Sequence, residues 1–261
     1  MTRHLLLALA LAASAAPSSL PARGVASAPL VELDILDRDS GRVLPEYRHR
    51  GQDWIAGTPG HRYAVRLSNR TGERVKVVLS VDGVNAVSGE TAASRQTGYV
   101  LAPWQSTEIA GWRKSMEDVA QFVFTDLGDS YAARTGRPDN IGVIGIAVFR
   151  EAPPPRLFPS PPPPPIASAE SAATARTASR QAHAEAAPQS LGTGHGQREW
   201  APVGRTDFRA ATRTPQQVTR LRYDDARTLV ANGVLPAHHH AADGPRAFPH
   251  EFVPDPPRAW R

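Results

Sequence analysis

HRYAVRLSNRTGERVKVVLSVDGVNAVSGE, running from His61 to Glu90, is the stretch that decides the fold. Tyr63, Val65 and Leu67 alternate with Arg62, Arg66 and Ser68. Beyond Asn69-Arg70-Thr71-Gly72 the alternation resumes. Val75, Val77, Leu79 and Val81 take one side, and Arg74, Lys76, Ser80 and Asp82 the other. A two-residue period sends successive side chains to opposite faces of a strand. Two such runs around a short Asn/Gly loop predict a β-hairpin with one buried face.

Working outward, the same grammar recurs. Val31-Glu32-Leu33-Asp34-Ile35 alternates and predicts a first strand, closed by the turn cluster Asp37-Arg38-Asp39-Ser40-Gly41. Asp53 to Ala56, Gly98 to Leu101, Ser106 to Trp112 and Val119 to Thr125 are further strand candidates. Ser115 to Asp118 offers a capping turn before the last of these. Ile141 to Phe149 is apolar on both faces, which predicts a central covered strand, with its two glycines giving room to the opposite sheet. About eight short strands separated by turn signals predict a mainly β chain. The expected form is an antiparallel β-sandwich, immunoglobulin-like or jelly-roll-like, over residues 29–151. A small closed barrel is the alternative.

After residue 151 the composition changes. Eighteen of the 25 prolines lie beyond it, nine of them within residues 152–165. Residues 152–190 are therefore expected to be a Pro/Ala/Ser-rich disordered linker, because such a chain buries too little apolar surface to order itself. A small C-terminal ordered patch is expected over residues 191–236. Pro215 to Tyr223 predicts a strand, and Asp224 to Asn232 a helix of about two turns with Gly233 behind it. Residues 237–261 are expected to be a flexible His/Pro-rich tail.

The first 28 residues predict a signal peptide and leader. Arg3 and His4 precede the apolar run Leu5 to Ala13, and Ala13-Ser14-Ala15 supplies small residues for cleavage. Nine apolar residues are too few to cross a bilayer, so no stable membrane span is expected after cleavage. The expected location is the periplasm or the medium. There is no cysteine, so neither a disulfide nor a lipidated cysteine is available, and stability must come from a core. The net charge of +5 belongs to the ends, because residues 29–151 carry 15 basic and 16 acidic side chains. No clustered basic face with interleaved aromatics stands out in the sequence, so nucleic acid is not an expected partner.

The segments SVDGVNAVSGE (Ser80–Glu90), GYVL (Gly98–Leu101), EIAGWRKS (Glu108–Ser115) and SYAARTGRP (Ser130–Pro138) resemble a family of uncharacterised exported proteins of proteobacteria. GTGHGQRE (Gly192–Glu199) and YDDARTLVANGVLP (Tyr223–Pro236) are similar to segments beyond the linker in that family. The resemblance implies export and an ordered role for the second patch, and it implies no activity.

Several constellations are candidates for chemistry. No Gly-x-Ser-x-Gly elbow occurs, and nothing in the spacing suggests a hydrolytic triad. Asp82, Asn85, Ser88 and Glu90 place four oxygen donors within nine residues, which suits calcium, or else a self-bonded turn. His238, His239 and His240 are weak metal-ligand candidates, and no cofactor is expected. Trp112-Arg113-Lys114, and Ser130, Tyr131 and Arg134 in the loop Asp129 to Arg137, pair aromatics with cations as contact surfaces do. His195, beside Arg198 and Glu199, completes the set.

The expected role is non-catalytic. The chain would bind another envelope component, protein or polysaccharide, through sandwich loops or the tail. One alternative is an enzyme with a composite site between the sandwich and the Gly192–Glu199 segment. The other is metal binding through the tail.

Overall fold

The computed structural model describes residues 28–154 and 189–236. The expected signal segment, most of the linker and the tail with His238, His239 and His240 lie outside the described residues. In chain order the strands are β1 (Val31–Asp37), β2 (Arg42–Val43), β3 (Tyr47–His49), β4 (Gln52–Gly57), β5 (Arg62–Asn69), β6 (Val75–Val81) and β7 (Val84–Asn85). There follow β8 (Tyr99–Leu101), β9 (Ser106–Ile109), β10 (Gly111–Arg113), β11 (Asp118–Asp126), the short helix α1 (Tyr131–Arg134) and β12 (Val143–Arg150). After the linker come β13 (Leu191–Trp200), β14 (Gln217–Asp225) and α2 (Ala226–Ala231).

Two sheets pack face to face as a mainly β sandwich. One runs β10-β11-β5-β1-β2, with β13 on the far edge of β11 and β9 alongside β5. The other runs β3-β4-β14-β12-β6-β7, with β8 also on β6. All pairings are antiparallel except β14 on β4. The core between the sheets is built by the side chains the alternation picked out. Tyr63, Val65 and Leu67 of β5 and Val75, Val77, Leu79 and Val81 of β6 are all buried, joined by Phe122, Phe124, Ile144 and Ile146.

The predicted hairpin is corrected in one respect. β5 and β6 do not pair. They lie in opposite sheets, and Asn69 to Arg74 arches from one to the other. Asn69 secures the arch, its Nδ2 donating to the Glu73 and Ala102 carbonyls and its Oδ1 accepting from the Thr71 amide. Alternation reports which way a side chain faces, and an arch and a hairpin present the same pattern. β12 is central as expected, between β14 and β6. Its Gly145, however, is opposite Ser80 and Arg220 on the solvent face, not on the face toward the other sheet.

Residues 191–236 enter the fold as parts of both sheets rather than as an appended patch. β13 runs along β11 from Leu191 to Trp200, and β14 is inserted between β12 and β4. Leu191, Leu221 and Tyr223 sit in the central core. The helix is shorter than the sequence suggested and starts two residues after Asp224, at Ala226, with Asp225 capping through the Arg227 and Thr228 amides. β13 gave no strand signal because Gly192, Gly194 and Gly196 lack β propensity. Close approach explains them. A Cβ on Gly192 would lie 2.6 Å from Ser130 Cβ, and one on Gly196 2.8 Å from Val123 Cγ2.

Candidate functional site

One end of the sandwich assembles residues from three separate parts of the chain. Directly opposed residues on paired strands share a face. His195 is opposite Phe122, so it points to the core side of its sheet, as does Trp112 on β10, which packs edge-on against Phe122. α1 caps this end. Ser130 is its buried N-cap, accepting from the Ala133 amide and donating to the Leu127 carbonyl. Gly192 is the strand position that lets Ser130 approach. Tyr131 is thereby brought against Trp112, with ring centroids 5.0 Å apart, and against His195, at 5.6 Å. Arg137 lies over Tyr131 at 5.7 Å.

The electrostatics of this rim are one-sided. Burial, then the positive charges of Lys114, Arg198 and Arg134, hold the His195 imidazole below the ordinary histidine value. Among the described residues none of Lys114, Arg134, Arg137 or Arg198 forms an ion pair. Trp112 Nε1 is buried and has no hydrogen-bond partner among the described residues. The arrangement is an aromatic floor ringed by cations, a geometry suited to an anionic group.

Of the residues expected at a contact surface, Tyr131, Arg134 and His195 meet at the rim, whereas Trp112 is buried in the core beneath Tyr131. Ser130 supports the rim structurally. Arg113 turns to the strand edge, where its Nη1 donates to the Ala201 carbonyl at 2.5 Å. Glu199 points away from His195. It forms a bidentate pair with Arg38 and accepts from Gln121 at 2.7 Å. No carboxylate of that strand is then placed to orient His195 as a base.

Asp82 and Asn85 are elsewhere and carry no calcium geometry. Asn85 Oδ1 accepts from the Val87 and Ser88 amides, and its Nδ2 donates to Gln96 and Thr97, which is turn chemistry. Asp82 is fully buried between the sheets. Its Oδ1 accepts from Tyr223 Oη at 2.6 Å and the Gly142 amide at 2.9 Å, and its Oδ2 from the Thr193 amide at 2.7 Å. Thr193 Oγ1 lies 2.6 Å from Tyr223 Oη and 2.7 Å from Tyr63 Oη. A chain of hydroxyls thus ends on one carboxylate and joins β5, β13 and β14. Burial pushes the Asp82 carboxyl up to about 6, against the pull of these hydrogen bonds.

The sequence reading also missed a group at the β1 turn. Asp37, Asp39 and His61 bring ligand atoms within 4.8 Å of one another. Their oxygens are already in use. Asp37 accepts from the Asp39 and Ser40 amides and lies 2.8 Å from His61 Nδ1, while Asp39 holds the Arg62 guanidinium. A guanidinium in the cluster opposes a cation, and the group works as a clamp on the turn. The Asp-Arg-Asp-Ser-Gly spacing was the available signal.

Compared with known proteins, the chain matches no family model, no curated protein and no solved structure. No helix among the described residues is long and apolar enough to cross a membrane.

Proposed function

We propose that this chain is an exported, non-catalytic envelope protein that binds another envelope component through the cationic rim at β10, α1 and β13. The bound group is anionic, a carboxylate or phosphate presented by that component. The observation that carries this reading is the convergence of Lys114, Arg134 and Arg198 around His195 and Tyr131 without an acidic partner among the described residues. Unpaired cations on a rigid aromatic floor retain their full attraction for an incoming anion, because no internal salt bridge must break first. Export rests on the basic start, the short apolar run and the small-residue cleavage site of the first 28 residues. The location is then the periplasm or the medium.

Truncation at Glu151 is a poor test, because it removes β13 and β14 from both sheets. A photo-reactive residue at position 134, irradiated in living cells, leaves the sheets intact. The expected result is a discrete cross-linked species that disappears when Lys114→Glu and Arg198→Glu are combined. A species that persists unchanged in the charge-reversed protein means that the rim is not the recognition surface.

A further inference from the structure

The main chain of β13 narrows what can present the anion at the rim. In an antiparallel ladder a residue turns its N–H and C=O to one side, and successive residues alternate between sides. On β11 the Phe122 amide donates to the Ala110 carbonyl and the Phe124 amide to the His61 carbonyl, while the Asp118 carbonyl accepts from Lys114. These residues therefore turn their backs on β13. The β13 residues directly opposite Asp118, Ala120, Phe122 and Phe124 are Trp200, Arg198, His195 and Thr193, and they turn outward in the same way. The bulge between Ala120 and Phe122 accounts for the uneven spacing. Two contacts fit this parity. The Thr193 amide goes to Asp82 rather than to β11, and Ala201, next after Trp200, donates to the Glu117 carbonyl.

No strand lies beyond the outer edge of β13 among the described residues. Thr193 closes one end of that edge through Asp82. Pro202, the next outward position after Trp200, has no N–H and closes the other. Between them, the main-chain groups of His195, Arg198 and Trp200 bond to no other main-chain group among the described residues. All three residues are exposed, and Trp200 is 74% so. Their side chains share one face, because their opposite numbers on β11 do. An added antiparallel strand would set alternate side chains beside Trp200, then Arg198, then His195 with Lys114 and Arg134 close by. The first position suits an apolar side chain and the others carboxylates. A second copy of this chain, paired edge to edge, would instead set one cationic rim against another.

We infer that the rim's partner is a protein presenting an extended acidic segment, which joins the sandwich as a strand on the outer edge of β13 from Trp200 back to His195. The inference rests on the rim as the recognition surface. It adds main-chain pairing, which a polysaccharide cannot supply.

The test is calorimetric titration of the purified full chain with acetyl-Thr-Leu-Thr-Glu-Thr-Glu-Thr-amide. With Leu beside Trp200 and the first Glu beside Arg198, the amides of these two residues point at β13, and those of the Thr residues on either side of that Glu point away. The peptide is expected to bind and to slow hydrogen exchange at the Arg198 and Trp200 amides. N-methylation of the Leu and first Glu amides is expected to cost at least tenfold in affinity, since two main-chain bonds are lost. N-methylation of the two Thr amides is expected to be tolerated. Glu-to-Gln replacement in the peptide and Arg198→Glu in the protein are each expected to weaken binding at least tenfold. Three results overturn the inference. One is no binding. Another is binding that N-methylation of the Leu and Glu amides leaves unchanged. The third is an alginate-derived hexasaccharide that binds more tightly than the peptide. If Arg198→Glu abolishes binding in the second or third case, the rim stands as an anion site without strand addition. Failure of the rim itself is read separately, from the cross-link at position 134.

Discussion

Thr193 and His195 are two residues apart on the same face of β13, and their surroundings are opposite in kind. Thr193 is fully buried, its amide on Asp82 and its hydroxyl between two tyrosines. His195 is exposed, with Tyr131 beside it and unpaired cations around it. Around Thr193 the hydroxyls and the Asp82 carboxylate are matched with one another within the chain, and this network ties the two sheets together. At the rim the charges are left unmatched. The difference separates groups that hold the fold from groups free to bind something else, since a buried unpaired group is costly and an exposed unpaired cation costs little.

The sharpest way to break this comparison is to remove the carboxylate at its closed end. Asp82→Ala leaves the Thr193 and Gly142 amides and the Tyr223 hydroxyl buried without their acceptor. Asp82 also has φ 52°, a left-handed conformation that alanine adopts at a cost. A loss of about 3 kcal/mol or more is expected in urea unfolding at pH 7. A loss under about 1 kcal/mol would remove the network from its structural role.

A second effect concerns pH. The native Asp82 value of about 6 lies above the 3.8 of an unperturbed aspartate. Between these values the native state holds a proton that the unfolded chain has released. The stability owed to this group is therefore full below about pH 4 and declines as pH rises through 6, by about 3 kcal/mol. Asp37, Glu199 and Asp225 are held low and act in the opposite direction. Their effect cancels when wild type is compared with Asp82→Asn. The stability of wild type relative to that variant is expected to fall between pH 4 and pH 8. A constant difference over that range would show that Asp82 is not titrating in the core.

The smallest expected effect on stability is at the open end. Arg134→Ala/Arg198→Ala is expected to change the urea midpoint by less than about 0.5 kcal/mol, since neither side chain holds an internal partner. Destabilisation above 1 kcal/mol would place these arginines with Thr193 rather than with His195.

The core positions were legible because period-two alternation is a local signal. Tyr63, Val65, Leu67, Val75 and Val77 read correctly for facing before any pairing was known. The rim was half legible. Trp112 with Lys114, and Tyr131 with Arg134, showed as aromatic–cation pairs in two separate segments. That they meet one another and His195 depends on β13 lying against β11 and on Gly192 admitting Ser130. Asp82 read as a turn residue, and nothing local in Ser-Val-Asp-Gly says that two strands from beyond the linker will enclose it.

By itself the sequence determined which residues face inward, that the chain is mainly β with a sandwich core, and that a short helix lies within Asp224 to Asn232. Those properties follow from side-chain chemistry and period, which act over a few residues. The tertiary structure decided the rest: that the first two alternating runs arch between sheets, that β13 and β14 complete the sandwich, and which polar groups are matched. Pairing partners are chosen by competition among all available edges, and whether a charge is paired depends on what else is packed beside it.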